Sequence, residues 1–277
     1  MIHPTAIIHP KAQLHPSVSV GPYAVIDEHV VVGANCRIGP HAHLTGHTTI
    51  GTDNAFHTSC VIGDAPQDLK YRGEPTRVRI GDHNVFREQV TVHRATKERE
   101  ATIIGSHNYL MAHSHVGHNA QVANHVIMVN GAMLGGHAVV QDRAFLSGNC
   151  MVHQFVHVGR LALMQGGSTI TMDLPPYTVA RGFNELCGLN TVGLRRAGLT
   201  SEERSELKRL YHALFRSGLR LSAALLFARN EFKSGHAKIL IDFAAGSKRG
   251  LCADVGKSAR RKAASPHGVL TLRRNPA

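Results

Sequence analysis

The sequence lacks most features that mark membrane-spanning, secreted or nucleic-acid-binding proteins. Its 277 residues include no tryptophan, and aromatic residues make up only 5%. No apolar run is long enough to span a bilayer, and the N-terminus MIHPTAIIHP lacks the basic and apolar regions of a signal peptide. The C-terminal part has few aromatics and no nucleic-acid-binding motif. We therefore expect no membrane span and no nucleic-acid partner.

Cysteine is also scarce. The five cysteines are odd in number and form no CxxC pair, which argues against a disulfide framework and against a structural zinc site. This usage predicts a reducing, cytoplasmic compartment.

Acidic residues are in short supply only in the second part of the chain. Residues 1–169 hold 12 Lys and Arg against 11 Asp and Glu, whereas residues 170–277 hold 19 against 8. The basic C-terminal part is either a solvated charged surface or a contact for an acidic partner.

A six-residue period dominates residues 1–169. Counting in sixes from Ile2 to Met164 gives 28 positions, of which 25 are apolar; the exceptions are Asp68, Glu74 and Glu98. A small residue often follows four positions later. Neither a helix nor an alternating strand has this period, but a hexapeptide repeat does, with one short parallel strand per hexad and three strands per triangular coil. The sequence predicts a left-handed parallel β-helix.

Two polar segments, 64–77 and 94–100, break this period and are predicted to be loops that leave the coil. Residues 170–190 contain DLPPY, whose prolines favour an extended connection. Thr200 and Glu203 then form a predicted capping box.

Apolar residues at helical spacing follow, and further helices are predicted near 219–233 and 236–245. The predicted fold class is an all-β left-handed parallel β-helix over 1–169, followed by a small α-helical domain over 191–250. The basic segment 251–277 has no apolar periodicity and is predicted to be a disordered tail.

Histidine is abundant, and its placement points outward. Eighteen of the 21 histidines lie in residues 1–169, and none occupies an inward position of its hexad. Residues about 18 apart stack on neighbouring coils of such a fold. Five outward histidines are thereby expected to form a ladder bordered by both loops: His93, His115, His118, His137 and His153.

Two kinds of site fit this ladder. A zinc site requires three neutral imidazoles that converge on one ion and leave a position open for water. An acid–base site requires only one histidine within reach of a hydroxyl proton, with its second nitrogen held by an acceptor. The spacing alone favours neither.

Six motifs, in this order, resemble one family, the acyl-[acyl-carrier-protein]–UDP-N-acetylglucosamine O-acyltransferases of lipid A synthesis. The resemblance covers residues 1 to about 250. The motifs are QDLKYRGEPTRV (67–78), VTVHRAT (90–96), HVGHN (115–119), VHQF (152–155), DLPPY (173–177) and GLRRAGL (193–199).

The resemblance implies a cytoplasmic homotrimer that transfers a 3-hydroxyacyl chain from acyl carrier protein to the glucosamine 3-hydroxyl of UDP-N-acetylglucosamine, without metal or cofactor. His118 is implied as the general base, with Asn119 beside it, and Gly136 as the backbone donor to the oxyanion. Gly166 falls where the family measures the acyl chain; a glycine there implies a long chain, on the order of fourteen carbons. The implied substrate-binding residues are Gln67, Asp68, Lys70, His93, His115, His137, His153, Gln154, Asn190 and Arg196.

Three positions depart from the family pattern. Asn119 stands where aspartate is usual, Phe183 where asparagine is common, and Val192 where an acidic residue is found. These departures bear on the rate and the donor specificity more than on the reaction class. Two alternatives stay open: a zinc hydratase of the carbonic-anhydrase type, which the histidine ladder also fits, and, because of Asn119, a scaffold that binds carrier protein without transferring the acyl group. An N-acyltransferase of the same fold is disfavoured, because such enzymes carry an extra N-terminal domain and here the hexads begin at Ile2.

Overall fold

A left-handed parallel β-helix forms the first two thirds of the molecule. The structure is a computed structural model that describes residues 1–255. Short strands stack into three sheets, which we call the first, second and third faces in chain order. A regular coil takes 18 residues, the offset between Ile7 and its partner Val25.

Most strands of the coil are two residues long. The first face contains Ile7–Ile8, Val25–Ile26, His43–Leu44, Val61–Asp64, Thr91–His93, His115–Val116, Met133–Leu134, Met151–Val152 and Thr169–Ile170. The second face contains Gln13–Leu14, Val31–Val32, His47–Ile50, Arg77–Ile80, Ala101–Ile104, Gln121–Val122, Val139–Val140 and His157–Val158. The coil strands of the third face are Ser19–Val20, Arg37–Ile38, Ala55–Phe56, Val85–Phe86, Tyr109–Leu110, Ile127–Met128, Phe145–Leu146 and Leu163–Met164.

The predicted six-residue period corresponds to burial. From Val20 onward, the apolar residue of each regular hexad lies inside the coil, and the small residue four positions later fills the corner beside it. Ile2, at the open end of the first coil, is 54% exposed, because no preceding coil covers it. Burial of one apolar side chain per strand supplies the main stabilisation of the coil.

Three corners join the faces. The first corner follows each strand of the first face, the second corner follows the second face, and the third corner follows the third face. Residues 65–76 and 94–100, between strands of the first and second faces, both leave the coil at the first corner. The two predicted loops therefore emerge on the same edge of the molecule.

Buried asparagines replace the small residue at three levels of the second corner. Asn54, Asn84 and Asn108 are each at most 1% exposed. The side-chain oxygen of Asn54 accepts from the backbone N–H of Asn84, and that of Asn84 accepts from the N–H of Asn108, each at 2.9 Å. This asparagine ladder satisfies backbone groups that the wide corner leaves without ladder partners.

The chain leaves the coil through an antiparallel hairpin. Strands Thr178–Arg181 and Glu185–Leu189 continue the third face, where the sequence predicts only an extended connection. Four helices follow: α1 (Thr191–Arg196), α2 (Ser201–Phe215), α3 (Leu221–Glu231) and α4 (Gly235–Gly246). The capping box of Thr200 and Glu203 is present at the start of α2, which confirms that prediction. No helix of the described residues is long and apolar enough to cross a membrane.

The chain then returns to the β-helix. Leu251 bridges Asp173, and strand Ala253–Asp254 pairs with Glu185–Leu186, so residues 251–254 belong to the fold and not to the predicted tail. Asp254 is buried, accepts a hydrogen bond from Tyr211 at 2.5 Å and lies 3.0 Å from the Arg216 guanidinium. The basic composition of the following residues concealed this return. Residues 256–277 of the predicted tail lie outside the described residues.

Candidate active site

His118 lies at the first corner, immediately after strand His115–Val116. Its ring Nδ1 is 3.0 Å from the side-chain oxygen of Asn119. Asn119 is only 9% exposed and has φ 61°, a left-handed conformation that asparagine tolerates better than most residues. The tight turn therefore places the two side chains against each other.

The surroundings of Asn119 fix the orientation of its amide. Its Oδ1 accepts from the backbone N–H and the hydroxyl of Thr96, both at 3.1 Å, while its Nδ2 donates to Glu100 at 2.6 Å. A backbone N–H can only donate and a carboxylate can only accept, so a flipped amide would lose these bonds. Oδ1 therefore faces His118, Nδ1 carries the proton, and Nε2 is left as the free acceptor.

Gly136 packs against the Nε2 side of the His118 ring. A Cβ added to Gly136 would lie 2.5 Å from both Nε2 and Cε1 of His118, so only glycine fits beside the ring. Within residues 1–255, no group accepts a hydrogen bond from the Gly136 N–H. A residue with an unused backbone donor therefore packs against the free ring nitrogen.

Three further histidines surround this pair. His137 meets His118 edge to face at 5.3 Å and stacks on Phe155 at 4.5 Å. His93 and His115 form a second edge-to-face pair at 4.9 Å, and the Thr91 hydroxyl is 2.7 Å from His115 Nδ1.

These histidines are electrically neutral near pH 7. Burial, reinforced by the neighbouring His93 and His118, lowers the pKa of His115 to about 4. Burial also lowers the pKa of His93, although the nearby Asp64 opposes this, and it lowers the pKa of His137. The corner therefore offers neutral imidazoles, which exchange hydrogen bonds with hydroxyls and do not neutralise phosphates.

The loop 65–76 stands beside the histidines and holds three predicted site residues. Asp68 lies close enough to His137 to oppose the lowering of its pKa, and its carboxylate accepts from the Lys70 N–H at 2.9 Å. Gln67 and Lys70 are exposed.

Arg94, at the start of the second loop, holds the two loops together. Its guanidinium donates to the Tyr71 hydroxyl at 3.1 Å and to the Gly63 carbonyl at 2.9 Å. The same guanidinium lies 5.5 Å from the centre of the Tyr71 ring. Tyr71 belongs to the loop 65–76, so Arg94 fixes the two loops that form the walls of the corner relative to each other.

His153 and Gln154 lie at the same corner two coils beyond His118, and both are exposed. The His153 ring donates from Nδ1 to the Gln154 carbonyl at 3.1 Å. Arg249 reaches back from the end of the helical domain to within 3.5 Å of that nitrogen, while it donates to the Thr171 carbonyl at 3.0 Å.

Three predicted site residues lie elsewhere in the chain. Asn190 is the buried N-cap of α1; it accepts from the Gly193 N–H and donates to the Leu161 carbonyl at the second corner. Arg196 is exposed at the end of α1, and Gly166 lies at the third corner. A single chain does not bring these three residues to His118.

Thr96, Glu100 and Arg249 were not predicted from the sequence. Thr96 and Glu100 stand in a loop that breaks the hexads, so no spacing rule relates them to Asn119. Arg249 lies among basic residues that resemble a solvated surface. Within residues 1–255, no three His, Cys, Asp or Glu side chains are arranged to hold a metal ion.

Comparison with known proteins gives consistent results. Residues 173–252 match the family model described as UDP N-acetylglucosamine O-acyltransferase, domain 2. The chain is 44% identical over 254 residues to the acyl-[acyl-carrier-protein]–UDP-N-acetylglucosamine O-acyltransferase of Syntrophobacter fumaroxidans, covering 90% of this chain and 98% of the relative. The same enzyme of Gloeothece citriformis is 48% identical over 201 residues, which is 72% of this chain and 73% of the relative.

Solved structures agree with these relatives. The UDP-N-acetylglucosamine acyltransferase of Francisella novicida superposes with a TM-score of 0.90 at 33% identity, covering 99% of this chain and 100% of its own.

Proposed function

We propose a mechanism from the premise that the chain belongs to the acyl-[acyl-carrier-protein]–UDP-N-acetylglucosamine O-acyltransferase family. The chain is an acyltransferase that moves an acyl group from acyl carrier protein to UDP-N-acetylglucosamine in lipid A synthesis. In the finer proposal the acyl group is a 3-hydroxyacyl chain, the acceptor is the glucosamine 3-hydroxyl, and His118 is the general base.

The proposed reaction balances without a cofactor. His118 Nε2 takes the proton of the 3-hydroxyl, and the oxygen attacks the thioester carbonyl carbon. The tetrahedral intermediate collapses with cleavage of the carbon–sulfur bond. The departing thiolate receives the proton from the imidazolium, which leaves the sugar ester, the carrier-protein thiol and neutral His118.

The observation that carries this proposal is the orientation of His118. Asn119 holds the proton on Nδ1, so Nε2 is the acceptor, as a general base requires. Gly136 packs against this nitrogen, and its N–H is the proposed donor to the oxyanion of the intermediate. Such a donor typically contributes a factor of roughly 10²–10³ in rate.

The first corner also suits a nucleotide sugar. Neutral His93, His115 and His137 are assigned to the hydroxyl and amide groups of substrate, because uncharged imidazoles both donate and accept. The diphosphate requires cations, which we assign to Lys70 and to Arg196. Gln67, Asp68, His153 and Gln154 line the remaining edge of the corner, and Asn190 acts by fixing the start of the helix that carries Arg196.

The proposed homotrimer is supported by apolar side chains on the outside of the coil. On the third face, one row of side chains points outward and is half-buried in the single chain. It includes these large residues: Val85, Tyr109, Ile127, Phe145 and Leu163. Outward positions of the first face include the exposed Met133 and Met151. A second and third copy packed on these faces would remove the apolar side chains from water.

Gly166, at the third corner, has open space beside it. Only the carbonyl oxygen of Gly148 comes within 4 Å of an added Cβ, at 3.6 Å. We assign this space to the end of the acyl chain and expect a long chain, on the order of fourteen carbons, since glycine contributes no side chain to block it.

The helical domain is the proposed contact for acyl carrier protein. Residues 170–277 hold 19 Lys and Arg against 8 Asp and Glu, which complements an acidic partner. On α3, the exposed Leu226 and Phe227 adjoin Arg229 and provide an apolar centre for such a contact. We propose a cytoplasmic location, in keeping with five free cysteines.

The test measures transfer from 3-hydroxymyristoyl carrier protein to UDP-N-acetylglucosamine by wild type, His118→Ala and His15→Ala. His15 is an exposed histidine at the second corner, so it controls for loss of an imidazole outside the site. We expect transfer by wild type and His15→Ala and a loss of at least about 10²-fold with His118→Ala. Absence of transfer by wild type with every chain length, and with a 3-amino acceptor, would contradict the proposal, and metal analysis would then test the zinc hydratase.

A further inference from the structure

We propose that Glu100 is a positioning residue for the base, and that it supplies through Asn119 the negative charge that the asparagine lacks. The inference rests on the proposed role of His118. It assigns to the loop 94–100 a function beyond forming a wall of the site. The chain Glu100–Asn119–His118 replaces a directly bonded carboxylate by one that acts across an amide.

The contact between Glu100 and Asn119 is short and well defined. The carboxylate oxygen lies 2.6 Å from Asn119 Nδ2, and on the other side of the amide Oδ1 lies 3.0 Å from His118 Nδ1. None of the ion pairs among the described residues includes Glu100. The amide of Asn119 is therefore its side-chain partner, and a carboxylate bound to an N–H is a charge-assisted hydrogen bond.

The loop is built to present this carboxylate. The Glu100 N–H donates to the Lys97 carbonyl at 3.0 Å, and the Glu100 carbonyl accepts from the Arg77 N–H at 3.2 Å. Thr96, from the same loop, donates twice to Asn119 Oδ1. Residues of one loop therefore hydrogen-bond to both the oxygen and the nitrogen of the Asn119 amide, which prevents its rotation.

The electrostatic consequence follows from the polarity of the amide. A carboxylate at Nδ2 draws positive charge toward itself and leaves Oδ1 more negative, which favours a positive charge on the ring that donates to Oδ1. The imidazolium forms when His118 takes the substrate proton, so the stabilisation acts during the reaction. The other charged or titratable groups that act on the histidines of this corner are His93, His115, His137, Asp64, Asp68, Arg94 and Lys97.

The decisive experiment exchanges the positions of the charge and the amide. It compares wild type, Glu100→Gln, Asn119→Asp and the double variant, with Glu98→Gln as a control for an exposed carboxylate of the same loop. We expect Glu100→Gln to lower kcat about tenfold with little change in KM for UDP-N-acetylglucosamine, because the Glu100 carboxylate is bound to Asn119 and is proposed to act through it on His118. Glu98→Gln should match wild type.

Asn119→Asp alone should also lose activity, because it opposes two carboxylates across 2.6 Å. In the double variant the new aspartate accepts from His118 and Thr96, and the new glutamine donates to the aspartate. Its kcat should therefore exceed that of either single variant.

The pH profile separates positioning from mere structural support. Removing the charge with Glu100→Gln makes the imidazolium less favourable, so the acid limb of kcat/KM should move to lower pH. In the double variant the carboxylate contacts the ring directly, and the limb should move back to higher pH. A structural role would lower the plateau and leave the limb in place.

Additive losses in the double variant, or a wild-type profile for Glu100→Gln, would overturn the role of Glu100. His118→Ala distinguishes this failure from failure of the base itself. If His118→Ala is inactive while Glu100→Gln equals wild type, the base stands and the relay is wrong. If His118→Ala retains activity, both are wrong.

Discussion

At the scale of single residues, the local backbone conformation accounts for the presence of many of the histidines. The third residue after the inward apolar position of a hexad usually adopts φ near 60°, and six histidines stand at such positions: His41, His83, His107, His113, His125 and His137. Histidine, asparagine and aspartate are enriched in this conformation. The number of histidines is therefore a poor guide to the site. His118 is distinguished by its contacts with Asn119 and Gly136.

His115 predicts how stability depends on pH. Its pKa is about 4 in the folded chain, against 6.5 as its ordinary value, so the unfolded chain binds this proton first as the pH falls. The contribution of neutral His115 is complete above about pH 6.5 and is lost as the pH falls toward 4. Between pH 7 and pH 5 we expect a loss on the order of 1–2 kcal/mol per chain.

Thermal unfolding of wild type and His115→Gln at pH 7, 6 and 5 measures this effect. Glutamine does not titrate and keeps a partner for the Thr91 hydroxyl, so the variant should lose less stability on acidification. Carboxylates with a lowered pKa, such as Glu202 at about 2, act only at lower pH. Equal slopes for the two proteins over this interval would show that His115 does not carry the effect.

The limits of prediction from sequence are clearest around Asn119. Its contact with His118 was expected because the two residues are adjacent in the chain. Its contacts with Thr96 and Glu100 join residues 23 and 19 positions apart across an irregular loop. The periodicity that relates neighbouring coils does not extend into the loop. The family resemblance therefore implied His118 and Asn119 but not the residues that orient the Asn119 amide.

At the scale of elements, the hexads specify each coil because one inward residue per strand must be buried. The sequence predicted secondary structure less well where tertiary packing, and not a repeated pattern, determines it. Examples are the hairpin Thr178–Arg181 with Glu185–Leu189 and the returning strand Ala253–Asp254. The hairpin extends an existing sheet, and the returning strand is held by the buried Asp254. Neither contact leaves a repeated pattern in the sequence.

The asparagine ladder predicts that removing a buried asparagine of the second corner lowers the free energy of unfolding more than removing an exposed one. Asn84→Ala leaves the Asn108 N–H and the Gly105 carbonyl without their side-chain partner in a buried corner, and it removes one of the two hydrogen bonds that the Asn54 side-chain oxygen accepts. We expect a loss of about 2–4 kcal/mol in the free energy of unfolding.

Asn124→Ala is the matched control at the same corner. The Asn124 side chain also accepts a hydrogen bond from a backbone N–H of the preceding coil, that of Ser106. Because Asn124 is exposed, water can take the place of its side chain. Its loss should cost less than about 1 kcal/mol. Denaturant unfolding of the two variants at one protein concentration provides the comparison, and similar losses would mean that burial of the ladder is not what stabilises the corner.

At the scale of the whole molecule, the proposed base and the proposed phosphate-binding residue are separated within one chain. His118 lies at the first corner, whereas Arg196 is on a helix whose N-cap is bound at the second corner, two coils further along. A closed trimer offers a solution, since each copy can place its helical end beside the first corner of the next copy.

This arrangement predicts complementation between two inactive variants. His118→Ala and Arg196→Ala, co-expressed with different tags and purified over both, give trimers that contain both kinds of chain. In a cyclic trimer of either composition, one of the three clefts combines an intact His118 with an intact Arg196, so we expect about a third of wild-type activity per trimer. Separately purified variants mixed without exchange of chains, and the double variant His118→Ala/Arg196→Ala co-expressed with His118→Ala, should remain inactive. Mixed trimers with no more activity than the separate variants would mean that one chain supplies both residues to each site, and the shared cleft would have to be abandoned.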